Sequence, residues 1–262
     1  MGFFYPSISL TFAPMENKTR ENIIYGIHSI NEAIAQDKEF DKIYLQKGST
    51  NLRLSDIEQL AKTKKITFSF VPIEKLNKLS KHNNHQGVVG VISEIAYSDL
   101  EQTLVKLQEK EKAIFVLILD HITDVRNFGA IIRTAASSGV DAIVIPEHGA
   151  ASVTGQVIKT SVGAAYKIPI CKVNHIKDAL FLLQAYDIKS VAATEKANDT
   201  IFDVPLTGNI AIIMGSEHKG VNPSVLKMVD FKAKIPMHNE MDSLNVSVAC
   251  GIFLFEAVRQ RS

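Results

Sequence analysis

Three short stretches in the second half of the chain carry the side chains best suited to chemistry. The first, Leu119 to Gly139, reads LDHITDVRNFGAIIRTAASSG. Asn127 is placed to cap a helix whose apolar stripe is Phe128, Ile131, Ile132 and Ala135. At about 100° per residue, Arg133 then lies roughly 140° from the centre of that stripe and projects away from the core, and Gly139 ends the helix. The second stretch, IAIIMGSEHKG, runs from Ile210 to Gly220. Here an apolar strand ending at Met214 enters a turn with Gly215, Glu217 and Gly220, and glycines there permit close approach of backbone to a ligand. The third is the end of the chain, IPMHNEMDSLNVSVACGIFLFEAVRQR. Ser243 is a candidate N-cap for a final helix from Leu244, with Ser243 and Asn245 at its positive end beside a strand ending over Ile235–Met237. Each stretch also has a plain reading. An exposed helical arginine is common, Glu217 can simply cap a helix, and Ser243 caps one whatever else it does.

Other chemistries are disfavoured. The eight histidines form no HxxxH or HxxE pair, so no metal site is expected. The two cysteines, Cys171 and Cys250, exclude a disulfide scaffold, and Cys250 reads as a small buried hydrophobe. GxGxxG is absent, which speaks against a dinucleotide-binding Rossmann site.

The elements that must position these stretches alternate between apolar runs and helical patterns. In the first part, Ile23–Tyr25 leads into the helix-like GIHSINEAIAQ. Lys42–Leu45, Ile66–Val71 and Gly87–Ser93 read as strands, Leu54–Thr63 as a helix, and Pro72 as the first position of a short helix. This α/β unit occupies residues 22–93. Residues 94–112 form a linker and an amphipathic helix, Asp99–Lys110. From 113 to 262, the runs Ile114–Leu119, Ala142–Ile145, Lys167–Ile170, Ser190–Ala193 and Ile210–Met214 are near-continuous apolar strands separated by helices, the pattern of a parallel sheet covered on both faces. The closing helix is so apolar from Val246 to Leu254 that it must be buried in a core or a subunit interface. Residues 1–21 read as a disordered or non-native extension, with Met15 as a candidate start.

Composition sets the outer bounds. The chain has 262 residues, 46% of them hydrophobic and 22% charged, which excludes global disorder. No run of eighteen apolar residues occurs and the opening lacks a basic leader region, so a cytoplasmic protein without membrane spans is expected. Net charge is +1, but residues 1–93 carry 12 Lys/Arg against 9 Asp/Glu. Within 59–85 lie Lys62, Lys64, Lys65, Lys75, Lys78 and Lys81 against Glu74 alone, a stripe that can hold an RNA backbone or be a solvated face.

Taken together, the three stretches resemble the SpoU–TrmH class of RNA ribose 2′-O-methyltransferases of the SPOUT superfamily. Asn127-x-Gly129-x-x-x-Arg133 is similar to its first motif and Gly215-x-Glu217-x-x-Gly220 to its second. Ile235-Pro236-Met237 with Ser243-Leu244-Asn245 is similar to its third. NVSVACGIFLFEAVRQR resembles the bacterial 23S rRNA (guanosine-2′-O-)methyltransferase branch, and YGIHSINEAI with HQGVVGVI resembles that branch's ribosomal-protein-like RNA-binding domain. One departure stands out: Asn239 occupies a position that is usually glycine.

The resemblance implies a fold, a cofactor and a reaction. The fold is an α/β parallel-sheet domain with a deep C-terminal trefoil knot, joined to the small N-terminal domain, in a homodimer. The cofactor is S-adenosylmethionine, held by Met214, Gly215, Ile235, Met237 and Leu244. Its methyl group passes from a sulfonium to a ribose hydroxyl, with alignment supplying much of the rate and no metal required. Arg133 and Glu217 are the candidates for activating the hydroxyl, with Asn127, Ser243 and Asn245 placing the nucleotide and cofactor. Lys62, Lys64, Lys65, Lys78 and Lys81 are the candidate RNA contacts. A guanosine of 23S rRNA is the expected target; a tRNA substrate, a non-catalytic RNA-binding module and an ordinary nucleotide-binding α/β protein are the alternatives.

Overall fold

Alternating apolar and amphipathic segments build two separate sheets in the computed structural model, which describes residues 23–93, 95–237 and 243–262. What the sequence suggests for residues 1–21, for Met15 and for Asn239 falls outside those residues.

The first sheet comprises β1 (Ile23–Tyr25), β2 (Phe40–Gln46), β3 (Phe68–Val71) and β4 (Val88–Ile92) in the order β1-β4-β2-β3. β4 runs antiparallel to β1 and β2, and β2 pairs parallel with β3. Helices α1 (Ile27–Ala35) and α2 (Leu52–Thr63) cover one face by packing Ile30, Ile34, Ile57 and Ala61 on Ile43, Leu45 and Val88. Helix α3 (Ile73–Leu79) places Leu76 on the opposite face against Val71 and Val89. Pro72 is the N-cap of α3 rather than its first helical residue. Gly90 is required in β4, because a Cβ there would stand 2.7 Å from Ile30 Cδ1 and from Phe40 Cε1.

Helix α4 (Leu100–Gln108), capped by Asp99, leads into the second sheet. Its strands are β5 (Phe115–Asp120), β6 (Ala142–Pro146), β7 (Ile170–Val173), β8 (Lys189–Ala193), β9 (Ile210–Gly215) and β10 (Phe231–Ala233), in the order β10-β8-β9-β5-β6-β7. Every pairing is parallel. β5 and β9 are buried along their whole length because both faces are covered. Phe115, Leu117 and Leu119 pack towards helices α5 (Val125–Ser137), α6 (Gly155–Thr160) and α9 (Val246–Arg261). Val116 and Ile118 pack towards α4 and helices α7 (Ile176–Ala185) and α8 (Pro223–Leu226).

Two strand expectations need correction. Lys167–Ile170 is not a strand: Lys167 follows a short 3-10 turn over Ala164–Tyr166, and pairing begins at Ile170. The chain also leaves the sheet before Ile235, since the last strand is Phe231–Ala233. Pro236 has no N–H to give a ladder, and the segment turns aside instead.

A buried polar cluster joins the two sheets. Asp41 of β2 accepts hydrogen bonds from the Tyr97 hydroxyl at 2.5 Å and the Lys172 ammonium of β7 at 3.1 Å. The Lys172 ammonium also sits 3.7 Å from the Tyr97 ring centroid, and Tyr97 Oη accepts from the Val153 N–H. The Asp41 side chain is fully buried.

Candidate active site

The carboxyl ends of β8, β9 and β10 open onto a cavity of about 410 Å³ beside the start of α9. This is where an open parallel sheet binds ligands, outside its strand ends and next to a reversal of strand order. Here β9 enters between β8 and β5.

The turn after β9 is built by close approach of backbone to backbone. A Cβ on Gly215 would lie 2.0 Å from the Gly220 carbonyl carbon and 2.1 Å from the Val221 nitrogen, so no other residue fits. Ser216 and Gly220 exchange backbone hydrogen bonds, with Gly220 at φ +63°. Asp120, buried at the end of β5, holds the far side of this turn by accepting from the Asn222 N–H at 2.7 Å, and its other oxygen pairs with His121. Asp120 and Asn222 lie 102 positions apart, and sequence reading passed over both. The available signal was a carboxylate ending a wholly apolar strand.

Asn127 links the three stretches. Its Nδ2 donates to Glu217 Oε1, and its Oδ1 accepts from Asn245 Nδ2 at 3.1 Å. Asn245 Oδ1 in turn accepts from the Ser247 N–H and hydroxyl, at 2.9 and 2.6 Å. Two caps therefore differ from the sequence reading. Asp124, not Asn127, caps α5, accepting from the N–H groups of Arg126 and Asn127 at 2.8 Å each. Asn245, not Ser243, caps α9, which starts at Val246 rather than Leu244. In both cases two cap-forming residues lie close together: the choice of Asp124 leaves Asn127 free to bridge, and Asn245 caps with Oδ1 while its Nδ2 reaches Asn127.

Met214, Gly215, Ile235, Met237 and Leu244 all line the cavity, together with Glu217 and Ser243. Val246, Ala249 and Phe253 of α9 give it an apolar wall, and Thr194, Glu195, Lys196 and Lys234, which sequence reading missed, also line it. Arg133 is exposed on α5, as its helical phase predicts, and is not among the lining residues. Gly129 belongs to the same motif for a packing reason: a Cβ there would stand 2.6 Å from the Thr160 Cβ of α6. Cys250 is fully buried in α9, and burial pushes its thiol pKa up, so it is a core residue. Among the described residues, no group of His, Cys, Asp and Glu is arranged to hold a metal.

On the first sheet, the lysine stripe is partly neutralised from outside its own window. Lys62 pairs with Glu58 at 2.6 Å and Lys64 with Asp37 at 2.7 Å. Lys65 follows α2 in left-handed backbone, while Lys78 lies in the last turn of α3 and Lys81 follows that helix.

Residues 114–255 match the SpoU rRNA methylase family, and residues 23–98 match the RNA 2′-O ribose methyltransferase substrate-binding family. The chain belongs to the SpoU rRNA methylase family. It is an RNA ribose 2′-O-methyltransferase of that family, with the substrate-binding module ahead of the methylase module. Among relatives, the 23S rRNA (guanosine-2′-O-)-methyltransferase RlmB of Coxiella burnetii is 36% identical over 239 residues, covering 91% of this chain and 95% of that protein. A putative TrmH family tRNA/rRNA methyltransferase of Staphylococcus haemolyticus is 35% identical over 240 residues, 91% of this chain and 96% of that one. The SpoU methyltransferase AviRb of Streptomyces viridochromogenes, solved with AdoMet, shares the fold at a TM-score of 0.58 and 21% identity, covering 93% and 92% of the two chains. Among the described residues, no helix is long and apolar enough to cross a membrane.

Proposed function

We propose that this SpoU methylase uses S-adenosylmethionine to methylate the 2′-hydroxyl of a guanosine in 23S rRNA, in the cytoplasm. The observation that carries the reading is the chain Glu217–Asn127–Asn245, which brings one residue of each motif together, with Glu217 lining the cavity.

The cavity suits that cofactor. Its wall combines apolar side chains (Met214, Ile235, Leu244 and Phe253) with the bare backbone at Gly215, where any Cβ is excluded. Met214, Gly215, Ile235, Met237 and Leu244 would hold the adenosine portion. When bound, S-adenosylmethionine supplies a methyl group on a sulfonium, an electrophile that needs no metal.

The residues of the chain do the rest. Asn127, fixed from both sides, holds Glu217 in one orientation. Glu217 Oε2 has no hydrogen-bond partner among the described residues and is the proton acceptor for the ribose hydroxyl. Arg133 clamps the adjacent phosphate and stabilises the developing alkoxide, since a guanidinium does not deprotonate in proteins. Ser243 and Asn245 position the nucleotide at the start of α9. The first sheet selects the RNA, with Lys62, Lys64, Lys65, Lys78 and Lys81 meeting its backbone.

The active form is a homodimer with a knotted C-terminal domain. Val248, Ile252 and Phe255 recur on one side of α9, with Val248 52% and Phe255 51% exposed, a stripe that a second copy would cover. Mapping 2′-O-methyl groups on rRNA and tRNA from a deletion strain and a complemented strain tests the target. A single guanosine of 23S rRNA should lose its methyl group and regain it. Loss at a tRNA position instead would move the substrate to tRNA.

A further inference from the structure

We infer that Asp41, Tyr97 and Lys172 form a lock that docks the substrate-binding module on the methylase module at one angle, and that this angle decides whether the ribose of a bound RNA reaches the methyl donor. Tyr97 and Lys172 are thereby positioning residues, remote from the cavity. The inference goes beyond the proposed reaction and rests on it only for the effect on rate.

The two modules do not share a core. Among the described residues, the apolar clusters of the first sheet draw on residues 23–92 and those of the second on residues 95–257, and no cluster draws on both sheets. Apolar burial is non-directional and would tolerate a slide or a turn, whereas hydrogen bonds and ion pairs fix a direction. What joins the modules is directional. The Tyr97 hydroxyl and the Lys172 ammonium converge on one Asp41 oxygen, at 2.5 and 3.1 Å, from two different segments. Tyr97 is held in turn by the Val153 N–H at 3.2 Å. Its neighbour Ser98 donates its N–H to the Ile170 carbonyl at 2.9 Å, which ties the linker to the outer edge of β7. Burial and the Asp41 charge raise the Tyr97 phenol well above its ordinary pKa, so it stays a donor to the carboxylate.

The lock is closely balanced. The other Asp41 oxygen is buried with no partner. A cleft of about 240 Å³ runs past Asp41 and Lys172, between Tyr44 and Val91 on one side and Pro146 and Ser152 on the other. Opening the joint would let water onto that oxygen and onto the ammonium, which offsets part of what the ion pair contributes when closed. Each contact to Asp41 therefore counts towards keeping the modules docked.

Leverage makes the angle matter. Lys172 lies on β7, at one edge of the second sheet, whereas the cavity opens at β8, β9 and β10, towards the other edge. With strands about 4.8 Å apart, β9 stands about 14 Å from β7. A turn of about 10° at the joint shifts an RNA atom at that distance by about 2.5 Å, and a misplacement of about 1 Å is enough to cost about a hundredfold in rate.

The test compares wild type, Asp41→Lys, Tyr97→Phe and the exchange Asp41→Lys with Lys172→Asp. Small-angle X-ray scattering reads docking, and single-turnover methylation of a saturating 23S rRNA transcript reads rate. Asp41→Lys sets two ammoniums against each other and should open the joint. Its radius of gyration should rise and its rate fall by about a hundredfold, while S-adenosylmethionine affinity stays within about twofold. A merely structural defect would lower cofactor affinity together with the rate. Tyr97→Phe keeps the ring beside Lys172 and removes one bond to Asp41, so it should slow transfer by about tenfold with the fold intact. The exchange restores opposite charges and should regain compactness and about tenfold in rate. Scattering curves that superpose for wild type and Asp41→Lys, or an open Asp41→Lys that methylates at the wild-type rate, overturn the lock. If Asp41→Lys fails to fold, Tyr97→Phe decides, and a rate within about twofold of wild type overturns it. If wild type methylates no rRNA or tRNA transcript, the proposed reaction falls, and scattering alone decides whether the cluster docks the modules.

Discussion

Asn127 and Glu217, ninety positions apart, meet in a 2.5 Å hydrogen bond that fixes the carboxylate of the second motif against the first. Because Asn127 donates to one oxygen, Oε1, the other is without a hydrogen-bond partner among the described residues. Glu217→Gln keeps the shape and would remove the proposed proton acceptor. The single-turnover rate of methylation should fall by about a hundredfold while S-adenosylmethionine affinity stays within about twofold. A rate within threefold of wild type would sink the assignment.

Arg133 is expected to act through its charge. Arg133→Ala should abolish turnover with cofactor binding intact. Arg133→Lys keeps a positive charge without the planar fork, so it should retain partial activity. Single-turnover rates against pH, at saturating RNA and cofactor, decide the role. The lysine variant should be slower with no new titration step, and a step in the lysine range would make this residue a base after all.

Gly215→Ala has nowhere to place its methyl group, since the nearest atoms are backbone and cannot yield as a side chain end would. The variant should lose more than about 2 kcal/mol of stability and should not bind S-adenosylmethionine. Denaturant unfolding and calorimetry read the two effects. Normal binding would mean that the turn is more plastic than its contacts indicate.

Between the sheets, Lys172→Met would leave the Asp41 carboxylate buried without its cation. The expected cost is about 3 kcal/mol, and Asp41→Asn added to it should recover part of that, because the amide oxygen can still accept from Tyr97. Urea unfolding of the two variants checks this, and an additive second loss would show that the pair is not coupled.

Burial pushes the Cys171 thiol up to about 11 from about 9. The unfolded chain releases that proton first, so the folded state loses stability as pH rises from about 9 to about 11, by roughly 2 kcal/mol for this group. Comparing urea midpoints at pH 8 and pH 11 for wild type and Cys171→Ala isolates the effect. An identical pH response in both would remove it.

The parts of the fold that two buried faces dictate are readable from the chain. β5 and β9 are apolar at every position but the last, and no helix has that run bounded by turns. β10 is not readable: it is three residues long, Lys232 is exposed, and it pairs on one side only. Ile235–Met237 mimics a strand in composition, yet its apolar side chains serve the cavity. The caps fail for a different reason. Asp124 and Asn127 are both good cap formers three positions apart, and only the distant Glu217 and Asn245 decide between them. Asp120 stands out in sequence only as a carboxylate ending an apolar strand, and its partner is not legible, because the Asn222 N–H carries no residue-specific mark.

The order β10-β8-β9-β5-β6-β7 also governs how the molecule is made. β9 must slot between β5 and β8, and its first pairing, Phe115 with Ile210, closes a loop of almost a hundred residues. Until that strand leaves the ribosome, β5 keeps one bare, wholly apolar edge, the kind that sticks to other chains. The four-stranded sheet, complete by Ile92, can form long before, so synthesis proceeds from a finished unit towards an unfinished one. Refolding from denaturant should accordingly be slow, with a yield that falls as protein concentration rises, because the nascent edge waits for the strand that seals it.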